Sequence, residues 1–122
     1  MTINALVIDD SRTAADFLMF VLKRLDMDVR VAYGPSPAMA VLKTETPNVV
    51  FLDINMPGLS GFDVLSYMTR EPRLMFVPVF VVTSDDHSET RKQALAAGAR
   101  AVFIKPITFE VLEPALRKEK VI

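Results

Sequence analysis

The chain has 122 residues, 51% of them apolar and 24% charged, the balance of a globular domain and not of a disordered segment. Lys and Arg number 14 against 15 Asp and Glu, a net charge of -1, so no global electrostatic pull toward nucleic acid or an anionic membrane exists. Cysteine is absent, which excludes disulfides, thiolate metal sites and thiol catalysis together.

In chain order, the apolar run from Ile3 to Ile8, interrupted by Asn4 and ended by Asp9 and Asp10, predicts a first strand. Ser11 to Leu25 shifts to helical spacing, with Ala14, Leu18, Val21, Leu22 and Leu25 on one face. Val29 to Ala32 predicts a short strand, and Ser36-Pro37 a helix start with Ser as N-cap and Pro at the first helical position, running to about Lys43. Val49 to Leu52 is a fully apolar strand ended by Asp53. Met56-Pro57-Gly58 then forms a turn, and Gly61 to Thr69 a helix with Phe62, Leu65 and Met68 on one side, ended before Pro72. Val79 to Val82 is a fourth strand, followed by Thr83 and Ser84. Asp86 with Glu89 resembles a capping box for a helix closing at Gly98. Ala101 to Ile104 is the fifth strand, ended by Lys105-Pro106, and Thr108 caps a last helix that Pro114 is expected to kink or shorten.

Five strands alternating with five helices predict an α/β domain with a mostly parallel sheet buried on both faces. The length predicts one domain over residues 1–122. The longest apolar runs, such as Val77 to Val82 with Pro78 inside, are far too short to span a bilayer. Asp9 arrives before the apolar core of a signal peptide could form, so the expected compartment is the cytoplasm.

The polar residues that end the strands carry the chemistry. Asp9 and Asp10 end the first, Asp53 the third, Thr83 the fourth and Lys105 the fifth. In an open parallel sheet, ligands sit beyond the carboxyl ends of the strands. Carboxylates gathered there repel one another unless a cation joins them, and Mg²⁺ takes a few such oxygens while keeping waters that a phosphoryl group can replace. Lys and Thr suit phosphoryl oxygens, so the set reads as Mg²⁺-assisted phosphoryl transfer with one aspartate as nucleophile. Each residue alone has a blander explanation. Asp9 and Asp10 could cap a helix, Asp53 could serve the turn, Thr83 could be a loop hydroxyl and Lys105 a solvated charge. Their joint placement at one end of four strands is what structural needs do not supply.

The blocks Asp9-Asp10 after Leu6-Val7-Ile8, Asp53 in Leu52-Asp53-Ile54-Asn55-Met56-Pro57-Gly58, Gly61-Phe62, Thr83-Ser84, Ala97-Gly98-Ala99 and Lys105-Pro106 occur in order across the chain. With them the sequence resembles the receiver domain of two-component response regulators, chemotaxis regulators included. The resemblance implies the flavodoxin-like three-layer fold, a five-stranded parallel sheet in order 2-1-3-4-5 with five helices. It implies that Asp53 is phosphorylated by a histidine kinase, and that Mg²⁺ is bound by Asp10, Asp53 and the backbone carbonyl of Asn55, with Asp9 acting through a water. Lys105 would bridge to Asp53 and then to the phosphoryl group, Thr83 would donate to a phosphoryl oxygen, and the Lys105-Pro106 bond would be cis. Asn55 and Asp85 would orient the water that removes the phosphoryl group. Self-catalysed phosphorylation from small donors and autodephosphorylation follow from the same likeness, without turnover as an enzyme.

The implied partners are a sensor histidine kinase or phosphotransfer protein and a downstream effector protein or domain. Direct contact with nucleic acid or membrane is not expected. The face of the fourth helix, fifth strand and fifth helix is open to homodimerisation. One departure stands out: the position three before Lys105, where the family commonly carries Tyr or Phe, is Val102, and Phe103 should face the other side of its strand.

A haloacid-dehalogenase-like aspartyl-phosphate phosphatase or phosphotransferase uses similar groups. Its nucleophile, however, follows the first strand in an Asp-x-Asp pattern. A flavodoxin-like FMN module would need a Ser/Thr/Gly-rich phosphate loop where Asp9-Asp10 stands. His87, the single histidine, reads as a surface residue in the first turn of a helix, and the methionines as gap-filling core.

Overall fold

The computed structural model describes residues 2–58 and 60–122. Five strands, β1 (Asn4–Ile8), β2 (Asp28–Ala32), β3 (Val49–Leu52), β4 (Val79–Thr83) and β5 (Ala101–Ile104), alternate with five helices. The helices are α1 (Arg12–Lys23), α2 (Pro35–Thr44), α3 (Gly61–Arg70), α4 (Ser88–Ala96) and α5 (Phe109–Lys118). All strand pairs are parallel and the order is β2-β1-β3-β4-β5, as the resemblance implies.

Alternation along each strand sorts the core into two layers. Leu6, Ile8, Val50, Leu52, Val79 and Val81 pack against Ala38 and Leu42 of α2, Val64, Leu65 and Met68 of α3, and Ala94 of α4. Ala5, Val7, Val49, Phe51, Phe80 and Val82 face the other way, onto Ala15, Leu18 and Leu22 of α1 and Leu112 and Leu116 of α5. Phe51 stacks on Phe80 with centroids 5.7 Å apart, an offset aromatic pair at the centre of that layer. Burial on both faces is why the strands read as unbroken apolar runs.

Four local expectations shift. On α1 the buried alanine is Ala15, not Ala14, because Ala15, Leu18 and Leu22 share the 3-and-7 spacing that meets the sheet. Helix α2 begins two residues early, with Pro35 first and Gly34, at φ 136°, in the N-cap position. Pro35 and Pro37 both fall in the first turn, where a missing N–H costs no helical bond.

At α4 the N-cap is His87 and the Asp86–Glu89 box does not form. Asp85 accepts from the His87 N–H at 3.0 Å and from the Thr90 hydroxyl at 2.8 Å instead. In α5, Thr108 is the N-cap without a side-chain bond, and the helix runs four residues past Pro114 to Lys118. Pro114 and Glu110 are both exposed, so the Glu110 carbonyl that loses its donor can bond to water.

Candidate functional site

The chain leaves β1 for β2 on one side and enters β3 on the other, so the crevice beyond the strand ends opens between β1 and β3. Asp9 and Asp53 stand there. The Asp9 N–H donates to the Ala32 carbonyl at 3.1 Å, and its Oδ1 accepts from the Ser11 N–H at 2.9 Å, which fixes the carboxylate at the head of α1. The Asp53 N–H donates to the Ile8 carbonyl at 2.9 Å, and its Oδ1 accepts from the Asn55 N–H at 3.1 Å. Asp9 therefore also fills the turn-forming part that its position allows, while its second oxygen remains for the site.

Lys105 closes the cluster. Its N–H donates to the Thr83 carbonyl at 2.8 Å, anchoring the turn after β5 to the end of β4. Its ammonium lies 2.6 Å from Asp9 Oδ2 and 3.2 Å from Asp53 Oδ2. Asp9, Asp53 and Thr83, at 5%, 6% and 0% exposure, are buried polar residues in a layer otherwise apolar. Asp10 is exposed, yet it offers a carboxylate oxygen within 4.8 Å of those from Asp9 and Asp53.

Burial pushes the Asp53 carboxyl above the ordinary carboxylate range; Lys105 pulls against that rise and the Asp9 charge adds to it. Burial alone would lower Lys105, but its bond to Asp9 and the field of Asp53 outweigh it, and the ammonium is held more firmly than usual. Three carboxylates against one ammonium leave the pocket with excess negative charge. A hard divalent cation with oxygen ligands fits that donor set: two buried carboxylates form its wall and the exposed Asp10 its open side.

The expected site residues thus divide. Asp9, Asp10, Asp53 and Lys105 converge. Asn55 contributes its N–H to Asp53 and is otherwise exposed. Thr83 stands beside them at the end of β4, with Oγ1 accepting from the Asp85 N–H at 3.2 Å. Val102 is buried in the layer under α2, α3 and α4, and Phe103 packs on the opposite layer. His87 is exposed, with Nδ1 2.6 Å from Asp85 Oδ1. That pairing raises the His87 pKa, while the His87 N–H and the Thr90 hydroxyl hold Asp85 down to about 2.

Gly61 has a part that spacing alone does not reveal. It is the first residue of α3, and its N–H donates to the Ile54 carbonyl at 3.0 Å. A Cβ there would run into the Asp53 carbonyl oxygen and lie 2.7 Å from the Ile54 Cα, so α3 can sit this close to Asp53 only on a glycine. A glycine at a helix start, shortly after a strand-ending aspartate, is the signal that could have found it.

The family model described as response regulator receiver domain matches residues 5–117. Protein PilH of Pseudomonas aeruginosa is 33% identical over 107 residues, which cover 88% of this chain and 88% of that protein. The probable transcriptional regulatory protein TcrX of Mycobacterium tuberculosis is 33% identical over 116 residues, 94% of this chain and 48% of that protein. Among solved structures, the signal receiver domain of a DNA-binding response regulator (merR) from Colwellia psychrerythraea superposes with a TM-score of 0.89. Its sequence identity is 29%, over 97% of this chain and 98% of that one.

Proposed function

The chain belongs to the response regulator receiver domain family, a phosphoacceptor domain of two-component signalling, and on that premise we propose that Asp53 is its phosphoryl acceptor. The comparisons support this reading and not a haloacid-dehalogenase-like phosphatase. The observation that carries the assignment is Asp53 itself: a buried carboxylate at the switch point of the sheet, bonded to Lys105 and next to two further carboxylates.

In the transfer, an Asp53 oxygen forms a bond to phosphorus as the bond from phosphorus to the donor's imidazole nitrogen breaks. The electron pair leaves with that nitrogen. Asp10, Asp53 and the Asn55 carbonyl would hold Mg²⁺, with Asp9 acting through a water, and the ion would supply charge neutralisation at the phosphoryl oxygens. Lys105 then exchanges its bond to Asp53 for one to the phosphoryl group. Thr83 uses its oxygen toward Asp85, which leaves its hydroxyl proton for a phosphoryl oxygen.

The chain acts by switching and not by turnover: it takes phosphoryl groups from small donors unaided and loses them to water. Its donor is a sensor histidine kinase or a phosphotransfer protein, and its reader an effector protein or domain. Leu95, Ile104 and Val111 are large exposed apolar residues, one each on α4, β5 and α5, which supports that face as the surface a reader or a second copy covers. Residues 1–122 act as one domain. Among the described residues no helix is long and apolar enough to cross a membrane, and the cytoplasm, where kinases of this class deliver phosphate, is the proposed compartment.

Incubation with acetyl phosphate and Mg²⁺ will add a single phosphoryl group, detected by intact mass and mapped to Asp53. Labelling that persists in Asp53→Asn, or that proceeds unchanged with the divalent cation chelated, overturns the assignment.

A further inference from the structure

A cavity of about 290 Å³ opens between the head of α1 and the turn after β5. Leu18, Val82 and Ile107, all buried, form its floor, and Ala14, Phe17 and Pro106, more exposed, form its sides. Asp9 and Lys105 line it too, so the cavity and the carboxylate cluster share two side chains. Phe17 is 47% exposed, a large apolar side chain that α1 leaves uncovered at this point. A larger cavity of about 600 Å³ lies at the amino ends of the strands, lined by Asn4, Asp28 and Pro47, and has no such connection.

We infer that this cavity binds the apolar leaving group of a small-molecule acyl phosphate, so that the chain prefers donors with an aromatic or branched acyl group over acetyl phosphate. The inference rests on Asp53 being the acceptor. An Asp53 oxygen bonds to phosphorus while the bond from phosphorus to the acyl oxygen breaks, and the carboxylate product departs with the electron pair. No proton or co-reactant is required. In-line displacement puts the leaving group on the side of phosphorus away from Asp53, and the cavity surface that shares Asp9 and Lys105 with the cluster is one it can meet. Here that surface is apolar, with the Lys105 ammonium at its edge to meet the phosphoryl or carboxylate charge. Its size is at the small end of ligand pockets, roughly 300 Å³, which suits one ring and not a nucleotide.

Burying roughly 60 Å² more apolar surface than an acetyl group does corresponds to about a tenfold gain in affinity. The experiment compares benzoyl phosphate with acetyl phosphate, in Mg²⁺, by the rate of mass gain at Asp53 in wild type, Phe17→Asp, Ala14→Glu and Phe76→Ala. Phe76 is exposed and does not line this cavity. Intrinsic reactivity of the two donors is the same for every variant, so it cancels when their rate ratios are compared.

The benzoyl-to-acetyl ratio will fall about tenfold in Phe17→Asp and Ala14→Glu and keep its wild-type value in Phe76→Ala. In wild type, half-saturation with benzoyl phosphate will come at about a tenfold lower concentration than with acetyl phosphate, a measurement independent of whether either variant folds. Equal ratios in all four proteins, or equal half-saturation in wild type, refute the cavity's role and leave Asp53 as the acceptor. Failure of both donors to label Asp53 in wild type removes the acceptor assignment and the inference with it.

Discussion

Asp53 is more comfortable protonated than an ordinary carboxyl, because burial disfavours its charge more than Lys105 restores it. A carboxyl whose pKa is raised on folding binds protons more tightly in the folded state, so the stability linked to it is complete in acid and falls as pH rises through the raised value. In metal-free buffer, Asp53→Asn will therefore raise the melting temperature at neutral pH, and the gain will vanish below the usual carboxylate range. A loss of stability at neutral pH, measured by thermal melts across that range, would show that the bond to Lys105 outweighs burial. Asp53, Asp9 and Lys105 were legible in the sequence because each interrupts the end of an apolar run, and polarity at such a place is visible without coordinates. The engagement of Thr83 with Asp85, and the contact of Gly61 with the Asp53 backbone, were not. Both depend on how a loop folds back, and loop paths have no periodicity to read.

Helix α5 is the element where propensity and structure disagree most. Pro114 sits at its sixth position, lacks the N–H that would reach Glu110, and places its ring against the preceding turn. The helix persists because Leu112 and Leu116, on either side of the proline, are fully buried against the sheet and hold the backbone in place. Proline inside a helix costs about 3 kcal/mol relative to alanine, offset by up to about 1 kcal/mol through the stiffer unfolded chain. Pro114→Ala is thus expected to stabilise the protein by about 2 kcal/mol, seen as a higher urea midpoint with an unchanged slope. A midpoint that stays put or falls would mean that Pro114 carries no net cost in this helix. The same balance explains why a shortened α5 was expected from the sequence: local preference is readable, whereas the tertiary burial that overrides it is spread over residues far away in the chain.

At the scale of the molecule, alternating strand and helix signals specify a parallel α/β sheet, but they do not say which strands are neighbours. That order came from the likeness of whole motif blocks, and it alone brings residues 9, 53 and 105 together. β5 forms one edge of the sheet and hydrogen-bonds only to β4. Yet the Lys105 side chain just beyond it reaches over β4 to Asp53 at the end of β3, and further to Asp9 at the end of β1. An outer strand, ordinarily the first to fray, is in this way tethered to two strands with which it shares no backbone bond. Its opening free energy then includes the release of an ammonium from two carboxylates, a contribution the opposite edge, β2, lacks. Amide hydrogen exchange measures this directly. In Lys105→Gln, the amides of residues 101–105 will lose protection beyond any change in β2, whereas equal loss at both edges would mean that no tether exists. Whatever alters the charge on Asp53 then alters how often the far edge of the sheet comes loose, without any residue of that edge being touched.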